Sequence, residues 1–404
     1  MAPTSEERDD LRSSARALLE RDSSTERVRG AIADAPGFDR ALWDQMVELG
    51  WTSVHVSSEH GGAGAGYADL GVILHELGRA IAPSPFLASA VLATAALTLA
   101  DNEAVTSELL ASLASGRSLA SVAFASTAGS YDTSQLTTGW ETMDGAVRLQ
   151  GSCGFVLDAD VADALVVAAR GSGGEPALMV VEAGAPGVRV ERSATVDATR
   201  RLFRVSFDDV AVPEERLLCE PGSRSEDVLD QILAVGVIAT ACDATGVAER
   251  ALERASEHAK DRVQFGKPIG TFQAVKHHCA NMAIAVEASG AAVRAACEAL
   301  DGEPSNWLHT AAITSSYVGP ACAEACALAL RVHGGIGFTW EHDSHLYLKR
   351  AKLDEVLFGT PSWHRRRLAA TVINDNDTLE ETKRSAGRMT GSAQRSRPGK
   401  ARAS

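Results

Sequence analysis

The runs SLASVAFAS (118–126), AVRLQGSCGFVL (146–157), DALVVAAR (163–170), ALMVVEAG (177–184), VRVERSA (188–194) and LFRVSFDDVAV (202–212) decide the architecture. Each is short and either alternates at period two or is continuously apolar, and Gly, Pro, Asp and Ser clusters separate them. They predict a small antiparallel barrel or sandwich. Upstream, FDRALWDQMVELGW (38–51), ADLGVILHELGRAIAP (68–83) and EAVTSELLASLASG (103–116) space their apolar residues three and four apart, as amphipathic helices do. Gly50, Pro83, Pro85 and Gly116 supply the stops. Downstream, helical patterns fill 224–260, 270–301, 305–333 and 341–371. The order helices, strands, helices predicts an α+β protein that is mostly α, and it excludes a doubly wound sheet. The expected units are a helical domain over 1–117, a β-domain over 118–218, a C-terminal four-helix bundle over 219–372 and a tail over 373–404.

The 404-residue chain is 45% hydrophobic and 23% charged, the balance of a soluble globular protein. Its net charge of −14 argues against nucleic-acid binding, which needs concentrated Lys and Arg. No continuous run of 18 apolar residues suggests a membrane span, and the polar start MAPTSEERDD does not resemble a secretory signal. Seven cysteines without a CxxC pair do not make a disulfide framework, so a reducing cytoplasm is expected. Residues 382–404 carry seven Lys and Arg and no acid, a composition typical of a disordered tail.

Two stretches carry chemistry. In DRVQFGKPIGTFQAVKHHCANM (261–282), Arg262 offers a planar fork of donors suited to a pyrophosphate, and Gln273 offers an amide. The same letters also suit a helix–turn–helix punctuated by Gly and Pro. In RVHGGIGFTWEHDSHLYLKRAK (331–352), the glycines would let a backbone approach a ligand closely and present N–H groups to an anion. His342 and His345 stand one turn apart but lack a third ligand at metal spacing, so no metal site is expected.

Together with LGW…SSEHGGAGAG, ELGRAIAPSPFL and FDDVAVPEERLL, these two stretches make residues 5–372 resemble the acyl-CoA dehydrogenase family. Within it the chain is similar to the actinobacterial branch that includes heterotetrameric steroid side-chain enzymes. The resemblance implies a cytoplasmic flavoprotein of lipid or steroid degradation that desaturates an acyl-CoA thioester. It implies FAD bound across a subunit interface, and an electron acceptor such as an electron-transfer flavoprotein. By the same resemblance, Arg262, Gln264, Phe265, Phe272 and Gln273 reach a neighbouring subunit's FAD. Arg331, Gly334 and Gly335 lie at its adenosine-pyrophosphate end. Phe155, Val156 and Leu157 match the strand against the flavin ring, and Thr127 and Ser130 match a loop beside it. Thr360 matches the threonine after the family's catalytic glutamate.

The chain departs from the family where the chemistry is done. The base is a carboxylate with a pKa raised by burial. At its usual place LFGTPS (357–362) puts Phe358. The alternative place, 29 residues before Phe265, is Gly236, followed by Val237 where an arginine often assists CoA binding. Arg331 replaces a glutamine and Phe155 a tryptophan. One acid lies on the vacated face: Asp243, seven residues beyond Gly236, about two turns or ~10 Å along the helix. A buried structural carboxylate is the simpler account of it. Three functions follow as alternatives: the subunit without the base in a heteromer, a self-sufficient homotetramer with a non-standard base such as Asp243, or a flavin-free structural or binding protein on this fold.

Overall fold

The computed structural model describes residues 5–34, 36–143, 146–370 and 373, so the basic stretch 382–404 lies outside the described residues. The N-terminal part holds α1 (Ser5–Asp22), α2 (Thr25–Ala33), α3 (Arg40–Glu48), α4 (Tyr67–Arg79), α5 (Thr94–Thr98) and α6 (Glu103–Ala114). Caps set several of the ends. Ser24 accepts from the Arg27 amide, Asp39 from those of Ala41 and Leu42, and Asn102 from that of Val105. A wide π-helical stretch, Phe86–Ala93, precedes α5 and is buried throughout.

Seven strands follow: β1 (Ala120–Ala123), β2 (Thr138–Met143), β3 (Ala146–Leu157), β4 (Ala164–Gly171), β5 (Pro176–Glu182), β6 (Val188–Arg192) and β7 (Leu202–Pro213). They form one sheet in the order β1-β4-β2-β3-β7-β6, with β5 on the other side of β4. The sheet is mixed rather than purely antiparallel, because β4 pairs in parallel with both β1 and β2. Its outer face has its own core, with Leu149, Val167, Met179 and Phe207 fully buried. The opposite face shares the large helical core through Val122, Phe124, Val166 and Val180.

The C-terminal part begins with α7 (Ser223–Asp261), continues through a small hairpin of β8 (Val263–Gln264) and β9 (Lys267–Pro268), then α8 (Gln273–Leu300), α9 (Trp307–His333) and α10 (Ser344–Asp354). Helix α7 is the axis, packing against α4, α8, α9 and α10. Among the described helices it alone is long and apolar enough to cross a membrane, but 94% of its apolar window is buried, which marks a core helix. Its contact with α4 is backbone to backbone. A Cβ on Gly78 would stand 2.1 Å from the Asp243 carbonyl, and one on Gly246 1.9 Å from that of His75.

The helix expected over 341–371 is two helices. It breaks at 355–360 and resumes over 361–370, because Phe358 and Gly359 take φ of +65° and +108°. A left-handed pair ends α10, and Pro361 then suits the first turn of the next helix. This break presents Phe358 to the rest of the fold.

Candidate functional site

Phe358 sits in a left-handed backbone conformation, an uncommon one for a bulky side chain. His364, fully buried one turn into the last helix, holds the turn: its Nε2 lies 3.0 Å from the Phe358 carbonyl. Burial pushes the imidazole pKa down to about 4, so at neutral pH it is uncharged and donates one N–H to that carbonyl. The Phe358 ring stacks on Phe124 (6.0 Å between centroids, 26°) and lies against Tyr131 (5.6 Å). Burial pushes the Tyr131 phenol pKa well up, so the hydroxyl stays protonated at neutral pH. On the other side is α7. A Cβ at Gly236 would stand 3.0 Å from the Phe358 ring. Positions 358 and 236 therefore face each other across one small volume, and the phenyl ring fills it. Val237 is buried beside them. Nearby, between α4, α7 and α8, lies a cavity of about 10 Å³ lined by Tyr67, Leu74, Val91, Val235 and Leu300 among others.

Asp243 does not face this volume as a free carboxylate. It is 2% exposed, and its Oδ2 accepts from Arg350 Nε at 3.0 Å while Oδ1 lies 3.1 Å from Arg200 Nη2. Burial alone would raise its pKa, but the Arg350 and Arg200 charges and a hydrogen bond with Asp354 outweigh it and hold the carboxyl at about 2. Asp354, 3.2 Å from Arg200 Nε, is shifted the other way: burial and the Asp243 charge push its carboxyl well above the usual range. Arg350 also donates to Thr199 Oγ1 (2.7 Å) and reaches the Ala82 carbonyl (3.4 Å). The chain end of α4, the β6–β7 connection, α7 and α10 are thus tied by one buried charge cluster. Arg350 stands inside the 331–352 stretch but Arg200 in no patterned motif, and their partners lie 43 to 268 residues away in sequence.

The residues expected to hold a dinucleotide fall into two groups. At one end of the bundle, Phe265 and Gly266 form a two-residue hairpin turn with φ of +51° and +78°, the geometry of a type I′ turn. This leaves the Phe265 ring 91% exposed, with Phe272 packed against its edge at 6.0 Å. Arg262 and Gln264 project outward beside it, and Arg262 has no acidic partner among the described residues. Gln273 opens α8, where backbone amides are free for an anion. Stacked rings of His258 and His333, 4.7 Å apart, bring the end of α7, which leads into Arg262, next to the end of α9, which leads into Gly334 and Gly335. A Cβ at either glycine would meet nothing within 4 Å. Arg331 reaches Glu324 at 3.6 Å.

The second group lies on the β-domain. Phe155 sits at a bulge in β3 with φ +54°, 43% exposed, and its ring lies 3.1 Å from where a Cβ on Gly129 would be. Thr127 and Ser130 stand in the same loop as Gly129, which also carries Tyr131. The Thr127 amide donates to Thr137 Oγ1, and Ser130 Oγ accepts from the Asp132 amide. The Leu157 side chain, in contrast, is buried in the helical core. Thr360 accepts from the Trp363 amide and caps the last helix. Of the six described non-glycine residues with positive φ, three are the candidate site residues Phe155, Phe265 and Phe358, the kind of strain that functional sites retain. His342, Asp343 and His345 form no metal cluster among the described residues. Asp343 instead pairs with Arg29 and Arg254, and His345 stacks on Trp340.

Comparison with known proteins identifies the family and the fold. Residues 5–117 match the acyl-CoA dehydrogenase N-terminal domain and 227–373 the C-terminal domain. The acyl-CoA dehydrogenase IpdE2 of Mycobacterium tuberculosis is 33% identical over 91% of this chain and 98% of its own length. Among solved structures, a variant of the steroid ACAD Tcur3481-Tcur3483 superposes with a TM-score of 0.83 at 28% identity, over 92% of this chain and 99% of its own. The ChsE4-ChsE5 complex from Mycobacterium tuberculosis gives 0.82 at 27%, over 92% and 98%. The chain belongs to the acyl-CoA dehydrogenase family.

Proposed function

We propose that this chain is the subunit lacking the catalytic carboxylate in a heteromeric, FAD-dependent acyl-CoA dehydrogenase, and that a second acyl-CoA dehydrogenase-like chain supplies the base. The family binds FAD and is made of oxidoreductases. The observation that carries the reading is the Phe358–Gly236 contact. Both family positions for the base converge on one volume, and a buried aromatic ring occupies it. Asp243 is a poor substitute, because a carboxylate held at about 2 by two guanidinium groups has little tendency to take a proton from carbon. Its role in this reading is structural.

The flavin would accept the hydride of an α,β-desaturation. This chain's part is to hold it. Arg262, Gln264, Phe265, Phe272 and Gln273, with Arg331, Gly334 and Gly335, form an open cradle at the bundle end, suited to the pyrophosphate of an FAD seated mainly on the partner. Thr127, Ser130 and Phe155 on the β-domain, with Thr360 at the start of the last helix, are the residues left for contacts on this chain's own side, while the buried Leu157 would serve only through its backbone. Two similar structures, a steroid ACAD named with two components and a two-component complex, support a heteromer and a steroid-like acyl-CoA. An electron-transfer flavoprotein is the acceptor that fits this chemistry.

Expression of the chain alone and together with a second, carboxylate-bearing dehydrogenase chain tests the reading. Flavin content and ferrocenium-linked turnover of an acyl-CoA panel are measured on each preparation. Turnover confined to the pair is expected. Robust desaturation by the homomeric protein would overturn the proposal.

A further inference from the structure

A cleft of about 430 Å³ opens between α1, α4, α7 and α8, away from Phe358, and Gly71, Thr245 and Cys297 are among the residues lining it. Behind it lies the cavity of about 10 Å³, to whose lining Gly71, Cys242 and Cys297 also contribute. Cys297 therefore borders both spaces, with Cys242 on the inner side. The two sulfurs, one on α7 and one on α8, are 3.5 Å apart. Gly71 of α4 presses on the pair: a Cβ there would stand 2.8 Å from Cys297 Sγ and 3.4 Å from Cys242 Sγ.

The thiols are inequivalent. Its hydrogen bond with Cys297, then burial, pushes the Cys242 thiol well above its ordinary range. Cys297, which lines the open cleft, is the sulfur that a peroxide entering there meets first, with Cys242 behind it. The remaining thiols are arranged differently. Cys153 is hydrogen-bonded to Thr138, Cys219 to Ser225, and Cys279 is only partly buried.

We propose that Cys242 and Cys297 form a peroxide-sensitive modification site that closes reversibly to a disulfide linking α7 to α8. The Cys297 thiolate attacks one peroxide oxygen, the O–O bond breaks, and the departing hydroxide takes up a proton, leaving a sulfenic acid and one water. Cys242 sulfur then attacks Cys297 sulfur; the Cys242 proton and the sulfenic hydroxyl leave as the second water. Two thiols and one peroxide become one disulfide and two waters. The sulfurs need to close from 3.5 Å to about 2 Å, a movement within the reach of side-chain rotation and a slight helix shift. A transient disulfide of this kind suits a reducing compartment, where disulfides serve sensing rather than scaffolding. The inference is independent of the proposed catalytic role.

The test is titration of the purified full-length protein with hydrogen peroxide, alkylation of remaining thiols, and mass spectrometry of intact protein and peptides. Expected are a loss of two hydrogens, a cross-linked peptide pair containing Cys242 and Cys297, and reversal by dithiothreitol. Cys242→Ser should instead accumulate a dimedone adduct at Cys297, and Cys297→Ser should give no cross-link to Cys242. Oxidation of Cys279 while Cys242 and Cys297 stay fully alkylatable would overturn the proposal. That readout needs only the wild-type chain, so a variant that fails to fold does not blunt it.

Discussion

Replacing Asp243 by Asn separates a structural carboxylate from a catalytic one. Asn keeps the shape of the side chain but removes the charge that faces Arg350 at 3.0 Å and Arg200 at 3.1 Å, all three groups being less than a tenth exposed. A carboxyl held at about 2 instead of 3.8 stabilises the fold at neutral pH by ~2 kcal/mol, at about 1.4 kcal/mol per pH unit. Breaking a buried ion pair from one side costs more, about 3–5 kcal/mol, because the guanidinium groups are left uncompensated. The Asn amide would also point a donor at one of two arginines that only donate. We therefore expect Asp243→Asn to lower the thermal and urea midpoints clearly at pH 7. The sign with pH follows from a depressed carboxylate: the wild-type advantage is complete above about pH 4 and shrinks as pH falls toward 2. Urea unfolding of both proteins at pH 7, 5 and 3.5 measures it, with turnover of the co-assembled enzyme in parallel. Activity should fall only in step with the folded fraction. A variant as stable as wild type that loses all turnover would refute the reasoning.

Three further outcomes are expected. Gly236→Ala should destabilise by about 1–3 kcal/mol, since its methyl meets the Phe358 ring at 3.0 Å in a closed aromatic cluster; an unchanged urea midpoint would show that the ring yields freely. Arg262→Ala should strip flavin from the assembled protein, measured as visible absorbance per protein; full retention would remove Arg262 from the cofactor contacts. The neutral, buried His364, with its pKa pushed from 6.5 to about 4, adds stability above pH 6.5 that is lost as pH falls toward 4, up to ~3 kcal/mol. His364→Gln should flatten that part of the stability–pH curve, and an unaltered curve would contradict the assignment.

The alternation of helical and period-two patterns was enough to order the three blocks, because each pattern reports a local surface buried against a neighbour. The parallel pairing of β4 with β1 and β2 was not legible, since strand register is settled between segments far apart. Apolar spacing also ran across 355–360 without interruption. Only Gly359 and Pro361 hinted that the helix stops there, and nothing local says that Phe358 would take a positive φ. In the site, the Gly and aromatic punctuation of 262–273 pointed to a patterned loop between two helices, though not to the small hairpin that builds it. The count of residues between Phe265 and Gly236 identified the second empty position, yet not that Phe358 would fill it. The Arg200–Asp243–Arg350 cluster was illegible for a simpler reason: charges this distant in sequence leave no periodic trace.

The contact between Phe358 and Gly236 also constrains how such a chain can change. A carboxylate introduced at 236 alone would have to occupy the volume of the phenyl ring. One introduced at 358 alone would leave a hollow beside a bare glycine and set an unpaired charge among Phe124 and Tyr131. Either single substitution is uphill, and only coordinated changes avoid the clash or the void. If the chain works with a carboxylate-bearing partner, the interlocked ring and glycine would act as a ratchet, keeping that dependence by packing as well as by selection for the pair.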